Sequence, residues 1–150
     1  MKLSQNLLLK EVTKSDTAEQ RGIDNTQMTD GVLKNLQELA KNVFQPAREE
    51  LGRILVTSGY RSPELNKAIG GASSSMHQTG EALDLKALDT SNKELFYFIK
   101  ENLVFDQLIW EYGNKKNPDW VHVSYKREGD NRYQVLKAVR KTVYLNWDES

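Results

Sequence analysis

Ser75-Met76-His77-Gln78-Thr79-Gly80-Glu81-Ala82-Leu83-Asp84 is the stretch on which the reading of this chain turns. Its first half continues a Ser- and Gly-rich segment, 72–80, that reads as loop, and its second half opens a strand predicted over 82–86. Gly80 permits a tight turn between the two. His77 therefore leaves on the loop and Asp84 returns on the strand, with both side chains on the same side of the bend. Leu83 and Leu85 flank Asp84, and aspartate is disfavoured in a strand unless it has a task there.

The chain holds two histidines. The second lies in Asp119-Trp120-Val121-His122-Val123-Ser124, a predicted strand at 120–125. Period-two alternation sends Val121 and Val123 to one face and His122 to the other. Two imidazoles and one carboxylate leave a fourth position of a tetrahedral ion open, the pattern of a catalytic zinc site. There is no cysteine, so neither a disulfide framework nor a thiolate metal site is available.

Outward from these segments, the rest of the chain reads as follows. Residues 1–28 are polar and irregular and predict an extended lead-in with little regular structure. Thr29 or Asp30 caps a helix whose apolar face is Val32, Leu36, Leu39 and Val43, with Pro46 breaking it or starting a second turn and Gly52 ending it. Ile54 to Thr57 is a short buried strand. Ser62-Pro63 starts a short helix closed by Gly70-Gly71. Thr90-Ser91-Asn92 caps a helix with Leu95, Phe96, Phe98 and Ile99 inward. Strands follow at about 105–111 and 120–125, and a last pair near 133–139 and 142–145. Helices first and strands clustered later predict a single α+β domain, 1–150, with a mainly antiparallel sheet flanked by helices.

The bulk numbers exclude rather than identify. The 150 residues suit one domain with a real core. Lys+Arg and Asp+Glu are both 21, which gives no basic excess for nucleic acid. The apolar run near the N-terminus, Leu7 to Leu9, is shorter than the about 7–15 residues of a secretory signal core, and no stretch approaches the roughly 20 of a membrane span. The expectation is a monomer, cytoplasmic as synthesised, with no membrane insertion and no nucleic-acid partner.

Ser75-x-His77-x-x-Gly80-x-Ala82-x-Asp84 resembles the SxHxxGxAxD signature of the zinc D-Ala-D-Ala metallopeptidases, a group with a hedgehog-like fold that includes D-Ala-D-Ala carboxypeptidases, vancomycin-resistance dipeptidases and phage endolysin endopeptidases. Asp119-Trp120-Val121-His122 is similar to that family's later motif, an acidic residue shortly before the last zinc ligand. Ser58-Gly59-Tyr60-Arg61-Ser62 resembles its upstream SGYRS segment. The three motifs occupy residues 58–124 in family order.

The resemblance implies one Zn2+ held by His77, Asp84 and His122, peptidoglycan stem peptides as substrate, Asp119 as general base and Arg61 as binder of substrate and of the developing oxyanion. Ser75 and Tyr60 are further candidates for substrate binding. Glu81 and Glu111 compete with Asp119: Glu81 is expected to face solvent, whereas Glu111 ends a strand and could line the cleft. Against Asp119 stands geometry, because residues three apart on a regular strand face opposite ways. Trp120 is read as core. Carboxypeptidase and endopeptidase remain alternatives, and a signal-free chain of this size suits a phage endolysin acting on the wall after release. The rival reading is a non-catalytic zinc-containing wall-binding or phage structural module of the same fold.

Overall fold

The computed structural model describes residues 1–149. Its centre is a six-stranded sheet in the order β3-β4-β6-β5-β7-β8, formed by β3 (Ile54–Ser58), β4 (Ala82–Ala87), β5 (Gln107–Glu111), β6 (Trp120–Ser124), β7 (Gln134–Arg140) and β8 (Val143–Asn146). All neighbours run antiparallel except β5 and β7, which are parallel. The mixed, mainly antiparallel sheet with flanking helices is the architecture expected from the sequence.

Alternation along these strands gives the sheet two faces of different character. Leu83, Leu85, Leu108, Trp110, Val121 and Val123 are buried in the core. There they meet Leu95, Phe96 and Ile99 of α6 (Asn92–Asn102) and residues of the long helical segment 30–51. The opposite face carries Asp84, His122, Ile109 and Glu111, which line an open cleft.

Segment 30–51 is continuous: α3 (Asp30–Leu39) passes through a π turn at Ala40–Phe44 into α4 (Gln45–Leu51). Thr29 caps it through Val32 N–H. Pro46 has no N–H to give to the carbonyl four residues back, and the wide turn just before it accommodates that missing bond. The helix is thus widened at a point where a break or the start of a second turn was expected. Ser62 caps α5 (Pro63–Ala68) and Ser91 caps α6, as read from the sequence.

Residues 1–28 are not an extended lead-in. They form a two-stranded ribbon, β1 (Lys2–Ser4) and β2 (Leu7–Leu8), followed by α1 (Leu9–Thr13) and α2 (Asp16–Arg21). Helices this short offer no full apolar period to read. Leu3, Leu7 and Val12 nevertheless join the core. Buried Asn25 then ties the segment down, its amide N–H groups donating to Thr13 O and Tyr60 O and its oxygen accepting from Ser62 N–H. Among the described residues, no helix is long and apolar enough to cross a membrane.

Candidate metal centre

Two rungs of the sheet build the site. On the first, Asp84 of β4 pairs with His122 of β6, His122 with Ile109 of β5, and Ile109 with Leu136 of β7. On the next, Trp120, Glu111, Ala138 and Tyr144 face one another across β6, β5, β7 and β8. Direct register puts these side chains on one face, and all but Ala138 line the same cleft of about 560 Å³.

His77 reaches the first rung from outside the sheet. It sits on a 3-10 turn, Met76–Thr79, whose start is capped by the Ser75 hydroxyl and whose end is turned by Gly80 at φ +75°. A side chain at Gly80 would strike Val32 O at 2.7 Å, so glycine serves both the turn and the close approach to α3.

The ligand-capable atoms of His77, Asp84 and His122 all lie within 4.8 Å of one another. His122 Nδ1 is 2.9 Å from Asp84 Oδ1, and His77 Nε2 is 3.4 Å from Asp84 Oδ2. Ligands bonded at about 2.1 Å to a tetrahedral ion stand roughly 3.4 Å apart, so this spacing fits such an ion. The surroundings agree. His77 Nδ1 lies 2.7 Å from the Gly59 carbonyl, which fixes the proton on Nδ1 and leaves the Nε2 lone pair free, the usual support behind a metal-bound imidazole. Burial holds His77 below its ordinary pKa and so neutral. Burial alone would raise the Asp84 carboxyl, but the hydrogen bond from His122 Nδ1 at 2.9 Å works against it, and the carboxyl lies below its ordinary value.

Arg61 lines the cleft, with Nη2 4.0 Å from Asp84 Oδ2. Its fork is steadied by Asn66 Oδ1 at 3.1 Å and Ser58 Oγ at 3.3 Å. Ser75 also lines the cleft.

Two expected site residues lie elsewhere. Tyr60 is 4% exposed, and its hydroxyl donates to Gln27 O, so it braces the lead-in and does not face substrate. Asp119 is exposed and outside the cleft lining; its N–H donates to Glu111 O, and its carbonyl accepts from the Asn92 side chain. It precedes β6 on the wrong side of the alternation, as strand geometry warned. Glu111 takes the inward position instead. It is 7% exposed, and burial pushes its carboxyl up to about 7, opposed by His122 and aided by the Asp84 charge. Trp120, read as core, forms part of the cleft wall. Leu136, Lys141 and Tyr144 of the C-terminal hairpin also line it. No motif marks them, because they lie beyond the last histidine.

A family model for peptidase M15 matches residues 5–124. No curated protein matches the chain. Among solved structures, the chain is similar to the vancomycin resistance D,D-pentapeptidase VanY from a VanB-type resistance cassette, a glutamate-to-alanine mutant in complex with Zn(II). The identity is 25%, over 66% of this chain and 76% of that one, with a TM-score of 0.37.

Proposed function

The chain belongs to the peptidase M15 family, and from that premise we propose that it is a zinc-dependent hydrolase of peptidoglycan stem peptides, with 1–150 working as one peptidase domain. The observation that carries this reading is the meeting of His77 Nε2, Asp84 and His122 Nδ1 on the floor of a cleft that also presents Glu111 and Arg61. The imidazole and carboxylate donors suit zinc, and when bound it would polarise the scissile carbonyl and acidify a water molecule.

The protein's own groups then divide the work. Glu111, ionised, accepts a proton from the attacking water and returns it to the departing amine. Burial raises its proton affinity above that of an ordinary glutamate in the metal-free site, which favours its holding the proton between the two transfers. The Arg61 guanidinium stays protonated and offers its fork to the oxyanion or to a peptide carboxylate. Gly59 O orients His77, and Ser75 shapes the turn that presents it. Asp119 has no part in the proton transfer. The water's remaining hydroxyl adds to the carbonyl carbon, the C–N bond breaks, and the products are a carboxylic acid and an amine.

We take the chain to act as a monomer, as a carboxypeptidase or as an endopeptidase of the endolysin kind. The test is mass spectrometry of defined muropeptides incubated with the protein, with and without a chelator. Cleavage of one stem-peptide bond that stops on chelation is the expected result; intact muropeptides with zinc-loaded protein would rule the reading out.

A further inference from the structure

The cleft has a second wall that lies outside the family match. Residues 134–146 form the β7–β8 hairpin, and Leu136, Lys141, Thr142 and Tyr144 from it line the same cleft as the metal centre. The register places Tyr144 on the rung of Glu111, separated from it by Ala138. A methyl group at that position leaves space for the phenol ring to lean over the rung. The hairpin tip meets the loop that leads to His77: Lys141 Nζ lies 3.8 Å from where a side chain on Gly70 would begin.

Charge makes this tip informative. The acidic side chains of the cleft lining are Asp84 and Glu111, both committed to the metal centre. Its basic side chains are Arg61 and Lys141 besides the histidines. Arg61 is engaged with Asn66, Ser58 and Asp84. Lys141 is within 4.0 Å of no carboxylate among the described residues. It stands on a tight tip, where Thr142 takes a left-handed φ of +64° that β-branched residues rarely adopt.

We propose that Lys141 is a specificity residue that binds a carboxylate of the substrate peptide at the Gly70–Gly71 end of the cleft, where Arg61 also stands. The hairpin thereby selects stem peptides with a free carboxylate close to the scissile bond. This rests on the peptidase reading above. The carboxylate can be the terminal one, which makes the enzyme a carboxypeptidase, or that of an acidic residue within the stem.

Three synthetic peptides separate these sources: L-Ala-γ-D-Glu-L-Lys-D-Ala-D-Ala as the free acid, the same peptide with a C-terminal amide, and the same peptide with D-isoglutamine in place of D-Glu. With the zinc-loaded protein, Lys141→Met is expected to raise KM for the free acid about fivefold or more, with a smaller change in kcat, and Lys141→Arg to restore it. The penalty should vanish on the amide if the terminal carboxylate is bound, or on the isoglutamine peptide if the internal one is. An equal penalty on all three peptides, or none, overturns the proposal. Should the native protein cleave none of them, the peptidase reading fails, and NMR titration of the metal-free protein with the free acid decides Lys141 separately. Weaker binding by Lys141→Met supports the assignment; equal binding refutes it.

Discussion

Asp119 and Glu111 are joined through their backbones, the N–H of Asp119 donating to the carbonyl of Glu111 at 2.9 Å, yet their carboxylates have opposite surroundings. One is exposed to solvent, and the other is enclosed beside His122 and Asp84.

Glu111→Gln is therefore expected to lower kcat by about 10²-fold or more, the usual worth of a positioned base, while zinc content stays stoichiometric. Asp119→Asn should keep activity within about threefold, because exposed polar substitutions rarely disturb a structure. Parallel measurement of peptide hydrolysis and bound metal checks both. Loss of activity confined to the Asp119 variant would restore that residue as the base.

Glu111 also makes the metal-free protein sensitive to pH. Its folded pKa is about 7, above the ordinary value of about 4.3 for an unfolded glutamate. The folded state thus holds the proton that the unfolded state releases, and stability falls as pH rises from about 4.3 to 7. In the chelated protein, Glu111→Gln should be stabilising by roughly 3–4 kcal/mol at pH 8 and close to neutral at pH 4. Urea unfolding at the two pH values measures this; the same effect at both would contradict it.

His77→Ala, Asp84→Ala and His122→Ala should each lose zinc and activity together. Chelation of the native protein should lower its stability by about 3 kcal/mol when the displaced zinc stood at a hundred times its Kd. Thermal melts with and without chelator supply the number, and a melting temperature indifferent to metal would argue against a site at these three residues.

A buried carboxylate held by a half-exposed arginine predicts an acid transition. Asp106 is fully buried, with Arg132 gripping both carboxylate oxygens at 2.8 and 2.9 Å and the Arg132 N–H adding a bond of 3.0 Å. Burial would raise the carboxyl, but Arg132 more than offsets it and holds the pKa below its ordinary value. That stability is present above about pH 4 and is lost as pH falls through the lowered folded value. Arg132→Met, which leaves the carboxylate only the backbone N–H of residue 132 and Lys126 Nζ at 3.9 Å, should cost about 2 kcal/mol at pH 7 and less at pH 3. Equal losses at both pH values would show that packing, not charge, is at stake.

Much of this was legible from residues alone. Thr29, Ser62 and Ser91 announced their helices because a hydroxyl cap is a local signal, and Asp84 announced itself as a carboxylate placed between leucines in a strand. That His77 and His122 would meet Asp84 could be read because the chain has so few imidazoles. The proposed preference for Glu111 over Asp119 could not, since it depends on which neighbouring strand faces His122, and the two carboxylates were separable only by register. Tyr60 misled because its motif fixes its place in the chain but not the direction of its ring. The hairpin wall went unseen because the parallel pairing of β5 with β7 is a long-range event with no local mark.

The two-faced sheet has a consequence for how this protein can change. Ile109 and Leu136 sit beside His122 on the open face, while their strand neighbours Leu108 and Val135 pack inward. Chemistry and cohesion are thus interleaved residue by residue along the same strands. Exchanging the outward-facing members retunes what the cleft accepts and leaves the interior undisturbed, so new substrate preferences are accessible by single steps without passing through an unfolded intermediate sequence.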